Sequence, residues 1–278
     1  MRIATWNINS VTTRLGRVLD WLETRQPDVL CLQELKTTPD GFPSLPIAAL
    51  GYEAAVLAQG RWNGVAILSR IGLDDVVLNL PDQPAYGNEG EIPIVEARAV
   101  GATVGATADS PGLRLWSLYI PNGRDPEHAH FQYKLEWLDV LRTTASTELS
   151  SRGDAPFALL GDFNVAPTDK DVWDAAKFVG STHVTPEERA RYESLIAAGL
   201  VDVMPRPGKG DNPFTFWDYR GGALHKDEGM RIDLILGNPA FAGAVKDAWV
   251  DREARKGSAQ SEGGAPSDHA PVVVDLDL

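Results

Sequence analysis

The sequence predicts a layered α/β fold that forms one domain over residues 1–278. Short apolar runs, each the length of a buried strand, alternate with helical patterns from one end of the chain to the other. No linker-like tract divides the chain, although the Gly/Ser-rich stretch Gly257–Ala265 is predicted to be a mobile loop.

Three helices are predicted from their periodicity and end signals. Val11–Thr24 repeats its leucines and valines on one face, and His128–Leu149 has the same kind of apolar spacing. Pro186–Ala198 has proline in its first turn, acids directly behind it and Gly199 just past its end.

The predicted strands are short apolar or β-branched runs bounded by turn residues. In chain order they are Arg2–Asn7, Asp28–Gln33, Gly64–Ser69, Ile94–Val100, Leu113–Ile120, Phe157–Leu160, Phe214–Trp217, Arg231–Leu236, Val245–Val250 and Val272–Leu276.

Composition is that of a globular enzyme, with 43% hydrophobic and 23% charged residues. The chain starts without the layout of a signal peptide and contains no apolar run long enough to cross a bilayer, so we expect no membrane association and a cytoplasmic location. The single cysteine, Cys31, lies in an apolar run and is expected to be buried. The net charge of −13 argues against a tight non-specific nucleic-acid binder. It does not exclude a metal-dependent phosphodiesterase, because carboxylates that bind a cation count as negative.

Polar side chains follow two of the predicted strands. Asn7 ends the first, and Glu34 comes directly after the second, where layered α/β proteins often gather their sites. Mg²⁺ prefers carboxylate and amide oxygens, so Glu34 is a candidate ligand with Asn7 supporting it through its amide oxygen. Alternatively, Glu34 only begins a solvated loop.

Gly161-Asp162-Phe163-Asn164 repeats this layout. Glycine permits a tight turn, after which Asp162 could activate water and Asn164 could hold that water or a phosphate oxygen. An Asx-turn that only caps the local backbone explains these residues equally well.

Asp233 lies inside an apolar strand, where a carboxylate must be paired or hydrogen-bonded. His269 is the expected partner, in the manner of the acid that orients a catalytic histidine, and Arg231 is the competing one. Taken alone, the adjacent Asp268 and His269 could equally be a surface pair in a turn.

Tyr119, Asn122 and Arg124 close another strand with donors that a phosphate would use. The aromatic residues around Phe216 either belong to the core or line a pocket. No serine or cysteine nucleophile motif, Walker loop, zinc spacing or dinucleotide fingerprint is evident, which leaves Mg²⁺-assisted attack of water on a phosphorus ester.

The order of these motifs resembles the endonuclease/exonuclease/phosphatase superfamily, and within it the apurinic/apyrimidinic (AP) endonucleases of the exonuclease III type. The resemblance covers essentially the whole chain and rests on nine motifs: Trp6-Asn7-Ile8-Asn9, Gln33-Glu34-Leu35-Lys36, Asn63-Gly64-Val65-Ala66-Ile67, Tyr119-Ile120-Pro121-Asn122-Gly123, Gly161-Asp162-Phe163-Asn164, Thr185-Pro186-Glu187-Glu188-Arg189, Phe216-Trp217-Asp218-Tyr219, Arg231-Ile232-Asp233 and Ser267-Asp268-His269-Ala270-Pro271.

The resemblance implies a four-layer α/β sandwich in which two packed mixed sheets are flanked by helices, with the site at one rim. It implies Glu34 as the principal Mg²⁺ ligand, helped by Asn7 and Asp268, with Mn²⁺ as an alternative metal. Its remaining roles are phosphate contact by Tyr119, Asn122 and Asn164, proton handling by Asp162 and His269, orientation of His269 by Asp233, and a pocket for a base-less sugar at Phe216, Met230 and Ile232.

The implied activity is incision of duplex DNA 5′ to abasic sites, with 3′→5′ exonuclease and 3′-phosphodiesterase activity, by a monomer that associates with the nucleoid when it acts on DNA. A superfamily hydrolase of RNA, phospholipid or inositol phosphate is the alternative. A non-catalytic relative would have lost one of Glu34, Asp162, Asp233 or His269. The expected basic groove draws on Lys36, Arg61, Arg124, Arg220, Arg231, Arg252, Arg255 and Lys256.

Overall fold

Two six-stranded sheets form the framework of the computed structural model, which describes residues 1–257 and 263–278. The first sheet has the order β11-β12-β1-β2-β4-β3, with bounds Val245–Val250, Val272–Leu276, Arg2–Asn7, Val29–Gln33, Val65–Ser69 and Glu53–Leu57. The second has the order β5-β6-β7-β8-β10-β9, with bounds Asp74–Leu78, Ala99–Val104, Leu113–Tyr119, Phe157–Asp162, Asp233–Gly237 and Val201–Asp202.

Helices cover the outer face of each sheet. The α-helices are α1 Leu15–Arg25, α2 Ser44–Ala49, α3 Ala129–Arg152, α4 Pro186–Ala197, α5 Ala223–Lys226 and α6 Pro239–Gly243. One core lies between the sheets, a second joins the first sheet to α1 and α2, and a third joins the second sheet to α3 and α4. The predicted four-layer α/β sandwich is therefore confirmed. Among the described residues, no helix combines the length and apolar character needed to cross a membrane.

Each sheet is mixed because it contains one parallel pair. In the first, β1 and β2 run parallel and are connected through α1; in the second, β7 and β8 run parallel and are connected through α3. The carboxyl ends of each pair meet at one edge of their sheet. Buried Gln33 ties the sheets together near this edge, because its Nε2 donates to Thr5 on β1 at 3.0 Å and to Ser117 on β7 at 3.1 Å.

The helix predictions differ from the structure only at the ends. His128 caps α3 through Nδ1, which accepts from the His130 backbone N–H at 2.9 Å. Thr185 and Glu188 form a capping box on α4. The first helix begins at Leu15, because the residues before it form a turn.

The predicted strand Phe214–Trp217 is wrong. Its backbone N–H groups divide between two segments, with Thr215 and Phe216 donating to Met230 O and Trp217 donating to Asp268 O, so only isolated bridges form. The strand predicted at Ile94–Val100 lies at Ala99–Val104, because Ile94 is drawn into a separate bridge with Tyr86.

Strands β3, β5 and β9 were not predicted. Strand β5 is exposed along its whole length at the edge of its sheet, so it lacks the apolar alternation that reveals a strand. Within the predicted mobile loop Gly257–Ala265, residues 258–262 lie outside the described residues.

Candidate active site

Four strand ends bring polar side chains to one rim of the sandwich. Asn7 ends β1, Glu34 follows β2, Tyr119 ends β7 and Asp162 ends β8. Glu34 has a φ of 53°, a left-handed conformation that turns the chain sharply off the strand. Strand pairing in parallel therefore delivers these four side chains to the same place.

Asn7 joins the carboxylates of the two sheets. Its Nδ2 donates to Glu34 Oε1 and to Asp162 Oδ2, each at 2.9 Å, while its Oδ1 accepts from the backbone N–H of Asn9 at 3.0 Å. The amide oxygen is thus engaged by the backbone. In this arrangement Asn7 holds the two carboxylates together and does not present an oxygen ligand, unlike the sequence-based expectation.

Glu34, Asp162 and His269 form a cluster whose potential ligand atoms lie within 4.8 Å of one another. Two convergent carboxylates, both accepting from one amide, fit a hard cation such as Mg²⁺. Asp268 lies outside this cluster. Its Oδ1 accepts from Asn9 Nδ2 at 3.0 Å, and Asn9 Oδ1 accepts in turn from Lys36, whose ammonium lies 2.7 Å from Glu34.

Asp233 pairs with His269, as expected from the buried acid. Nδ1 of His269 donates to Asp233 Oδ2 at 2.8 Å, which leaves Nε2 facing Asp162 at 3.9 Å. Burial opposes a charge on the imidazole, but Asp233 outweighs it and raises the pKa of His269 to about 10. The alternative partner of Asp233 is wrong, because Arg231 pairs with Asp171 and Asp202.

Asp162 takes part in both arrangements that the sequence left open. Its Oδ1 accepts from the backbone N–H of Asn164 at 2.9 Å, as in an Asx-turn, while its Oδ2 faces Asn7 and His269. Burial raises the pKa of Asp162 to about 7; His269 opposes this, and Asp233 and Glu34 add to it. The carboxyl group can therefore exchange a proton near neutral pH.

Two asparagine amides meet beside this cluster. Nδ2 of Asn122 donates to Asn164 Oδ1 at 3.2 Å, and Nδ2 of Asn164 donates to Ile120 O at 2.9 Å. Tyr119 adds a phenol near Glu34, and burial raises the pKa of that phenol well above its ordinary value. The phenol therefore stays protonated and can donate a hydrogen bond.

The sequence interpretation missed two residues at these amides, Lys134 and His183. His183 has a φ of 82°, its Nδ1 donates to Asn164 O at 2.7 Å, and its Nε2 lies 3.4 Å from Asn122 Nδ2. Burial lowers the pKa of His183 to about 4, so its imidazole is neutral. Nothing in the sequence pattern distinguishes His183, whereas Lys134 stands out as a charge three residues after Phe131 on the apolar face of α3.

Arg124 lies apart from the acid–histidine cluster. It is exposed, donates to Asn88 at 3.1 Å and lies over the ring of Tyr86. Together with Asn122 it lines an open groove of about 710 Å³. This groove also contains exposed Trp62, which carries Arg61 over its ring at 5.0 Å.

The three predicted pocket residues lie together, but two of them are closed off. The ring of Phe216 lies 4.9 Å from the imidazole of His269. Met230 and Ile232 are only 7% and 2% exposed, because they pack with Ala166 and Val172. Phe216 therefore offers most of the surface that a substrate could reach.

The predicted basic groove is wrong in three of its members. Arg231, Arg252 and Arg255 are buried. Arg231 and Arg252 form ion pairs with acids, and Arg255 donates to the Trp217 carbonyl at 3.0 Å. Their partners lie 25 or more residues away in the sequence, so the sequence pattern does not reveal them.

Several known proteins are similar to this chain. The profile described as the Endonuclease/Exonuclease/phosphatase family matches residues 4–269. The exodeoxyribonuclease III of Haemophilus influenzae is 27% identical over 281 residues, covering 98% of each chain.

Solved structures extend the similarity. The 3′-5′ exonuclease NExo from Neisseria meningitidis is 36% identical with a TM-score of 0.87, and an AP endonuclease from Archaeoglobus fulgidus is 31% identical with a TM-score of 0.86. Both comparisons cover 100% of each chain. Another structure of the Neisseria protein is described as 3′ phosphatase NExo bound to a product DNA hairpin. The chain belongs to the endonuclease/exonuclease/phosphatase family and, within it, to the enzymes of the exonuclease III and AP endonuclease type.

Proposed function

We propose that this enzyme hydrolyses phosphate esters of damaged duplex DNA with Mg²⁺, incising 5′ to abasic sites and processing 3′ ends by exonuclease and phosphodiesterase action. The observation that carries the proposal is the convergence of Glu34, Asp162 and His269 with the amides of Asn122 and Asn164 at one rim. Such a reaction requires a cation site, a proton acceptor and hydrogen-bond donors to the phosphate.

Glu34 would hold the metal, with Asp162 and Asp268 nearby, and Mn²⁺ is expected to substitute for Mg²⁺. When bound, the ion would stabilise the negative charge of the reacting phosphate. Asn7 holds the carboxylates of Glu34 and Asp162 close together, because its Nδ2 donates a hydrogen bond to each. Tyr119 donates a hydrogen bond, since burial raises the pKa of its phenol.

Asp162 takes the proton from the attacking water in this proposal. Its raised pKa, about 7, leaves it partly ionised at neutral pH, whereas the pKa of His269, about 10, keeps the imidazole protonated. Charged His269, oriented by Asp233, then holds a phosphate oxygen. Asn122 and Asn164 bind the remaining phosphate oxygens, and Arg124 contacts the DNA strand in the neighbouring groove.

The substrate is proposed to be double-stranded DNA with abasic or 3′-blocked sites. Phe216 offers an apolar surface to a base-less sugar beside His269, with Met230 and Ile232 behind it. The proposed protein is a monomer with one catalytic domain over residues 1–278; the match over residues 4–269 supports the single domain.

In the second candidate function, the main activity is the processing of 3′ ends. It is favoured because Met230 and Ile232 are almost fully buried, which leaves little space for a sugar flipped out of a continuous duplex. A frayed 3′ end needs less room. The similarity to NExo, described as a 3′-5′ exonuclease and a 3′ phosphatase, also supports it.

Four labelled substrates separate these candidates: a duplex with one tetrahydrofuran abasic analogue, a nicked duplex with a 3′-phosphate, an intact blunt duplex and single-stranded RNA. Each is incubated with Mg²⁺ or with EDTA. We expect Mg²⁺-dependent incision at the analogue and release of the 3′-phosphate. Reaction at 3′ ends without incision would select the second candidate. Cleavage of RNA while both damaged duplexes stay intact would overturn the proposal.

A further inference from the structure

Lys134 is a fully buried cation on α3 that the proposed chemistry does not use. Its ammonium donates to Asn164 O at 2.6 Å, to Asn122 O at 3.1 Å and to Thr182 Oγ1 at 3.3 Å, and it forms an ion pair with Glu188. Both charged side chains have 0% exposure.

The acceptors of Lys134 belong to three separate segments. Asn122 follows β7 and Asn164 follows β8, whereas Thr182 lies in the loop before α4 and Glu188 lies in its first turn. The two asparagines offer backbone carbonyls to the ammonium, while their side chains bond to each other at 3.2 Å. One buried ammonium therefore sets the separation of the two backbones that carry the phosphate-binding amides.

Glu188 extends this arrangement to His183. One carboxylate oxygen accepts from the His183 backbone N–H at 2.9 Å, and the other accepts from Thr185 Oγ1 at 2.7 Å. The His183 ring in turn contacts the carbonyl of Asn164. The ion pair thus joins the asparagine loops to the first turn of α4.

Stability alone does not account for a buried ion pair at this place. Removing two charges from water costs several kcal/mol per ion, and apolar residues of similar volume are often as stable. Phe131, Trp137 and Leu138, which lie three or four residues from Lys134 on the same helix face, are buried and apolar, so an apolar side chain would fit the packing. What an apolar side chain cannot supply is several donors to separate loops.

We propose that Lys134 is a positioning residue that holds the backbones of Asn122 and Asn164 so that their amides converge on one phosphate. The inference rests on the proposed function, which places the reacting phosphate at these amides.

The first test compares Lys134→Met with Arg114→Met. Arg114 forms a buried ion pair with Glu148 at the far end of β7, so its replacement controls for loss of a buried charge. We expect Lys134→Met to lower kcat by about 10- to 100-fold with little change in KM, since a small misplacement of substrate-positioning groups has effects of that size. Arg114→Met should lower the melting temperature and leave kcat unchanged.

A second variant keeps the test valid if Lys134→Met fails to fold. Combining Lys134→Met with Glu188→Gln removes both charges and retains the capping box on α4. This variant should fold and show the same loss of kcat. A native kcat in either folded variant, on a DNA substrate that the wild type cleaves, would overturn the inference. Failure of the wild type on every DNA substrate would instead overturn the proposed function.

A double-mutant cycle tests the route of the effect. If Lys134 acts through the amides, Lys134→Met should cost less than about threefold in an Asn122→Ala background, because coupled residues are not additive. A crystal structure of Lys134→Met should also show the Asn122 Nδ2 to Asn164 Oδ1 hydrogen bond broken. An undiminished loss in the Asn122→Ala background, or an intact hydrogen bond, would contradict the positioning role.

Discussion

At the scale of single residues, the proposed site works by setting opposite protonation states on two neighbouring groups. Asp162 and His269 lie 3.9 Å apart, and both are buried. Asp233 keeps the imidazole protonated, whereas burial raises the pKa of the Asp162 carboxyl to about 7, so this group remains partly ionised at neutral pH. Because the two environments separate the pKa values of these groups, Asp162 can act as the proton acceptor and His269 as the cationic hydrogen-bond donor.

Replacing Asp233 with Asn tests this assignment. The pKa of His269 should fall from about 10 toward its ordinary value, because the carboxylate that raises it is gone. The variant's imidazolium should therefore lose its proton at a lower pH than that of the wild type. The basic limb of the kcat–pH profile should shift to lower pH. We also expect kcat to fall by about 10²-fold or more at neutral pH. Asp247→Asn, an exposed acid on β11, is the control, and an unmoved basic limb in Asp233→Asn would contradict the assignment.

Replacing Glu34 with Gln tests the metal site. The neutral amide is a weaker ligand for a hard cation, so the Mg²⁺ concentration for half-maximal rate should rise by about 10- to 100-fold. A Mg²⁺ titration of the initial rate measures this change. Glu23→Gln, an exposed acid on α1, should leave the titration unchanged. An unchanged titration for Glu34→Gln would place the metal elsewhere.

At the scale of elements, the site depends on how strands end. Gly161 lies within β8 with a φ of 151°, and a Cβ added there would come within 1.9 Å of the Leu118 carbonyl on β7. The close approach of these strands brings Tyr119 opposite Asp162 in the parallel register.

Gly161→Ala should therefore lower the free energy of unfolding by about 3 kcal/mol or more, at the upper end of single substitutions. Denaturant unfolding followed by tryptophan fluorescence measures it. Gly243→Ala is the matched control, because no atom lies within 4 Å of the added Cβ and the position is helical. Equal stability of the two variants would show that the β7–β8 approach is not restrictive.

Elements with regular periodicity could be predicted from the sequence, and so could the Asp233–His269 pair, since a carboxylate in an apolar strand requires a partner. The prediction of a strand at Phe214–Trp217 failed. Its residues are ones that favour strands, but composition does not show which segments accept the hydrogen bonds of its backbone. The arrangement of Lys134 with Asn122 and Asn164 also escaped prediction. It joins segments that are far apart in sequence, and the contacts of such residues are set by the tertiary fold.

At the scale of the whole molecule, charge limits how the enzyme can hold DNA. The net charge is −13, and several arginines of the predicted basic groove are buried or paired with acids. Arg61 and Arg124, beside the open groove, are exposed cations near the site. The structure therefore favours a short, local contact with the DNA backbone over a wide basic surface.

Binding should accordingly depend only weakly on salt. For Asp162→Asn on a duplex with an abasic analogue, we expect a slope of log K against log salt between about −2 and −5, which corresponds to few neutralised phosphates. Fluorescence anisotropy between roughly 50 and 200 mM KCl measures the slope. A slope steeper than about −8 would require a basic surface that the paired arginines do not provide.

The central claim is that the rim formed by Glu34, Asp162 and His269 is the hydrolytic centre for DNA. The most direct measurement compares single-turnover rates of wild type and Asp162→Asn on the DNA substrate that the wild type cleaves, at saturating Mg²⁺. Removing a positioned proton acceptor should lower the rate by about 10²-fold or more while the protein still binds the DNA. A wild-type rate in Asp162→Asn would show that the chemistry takes place elsewhere on the molecule.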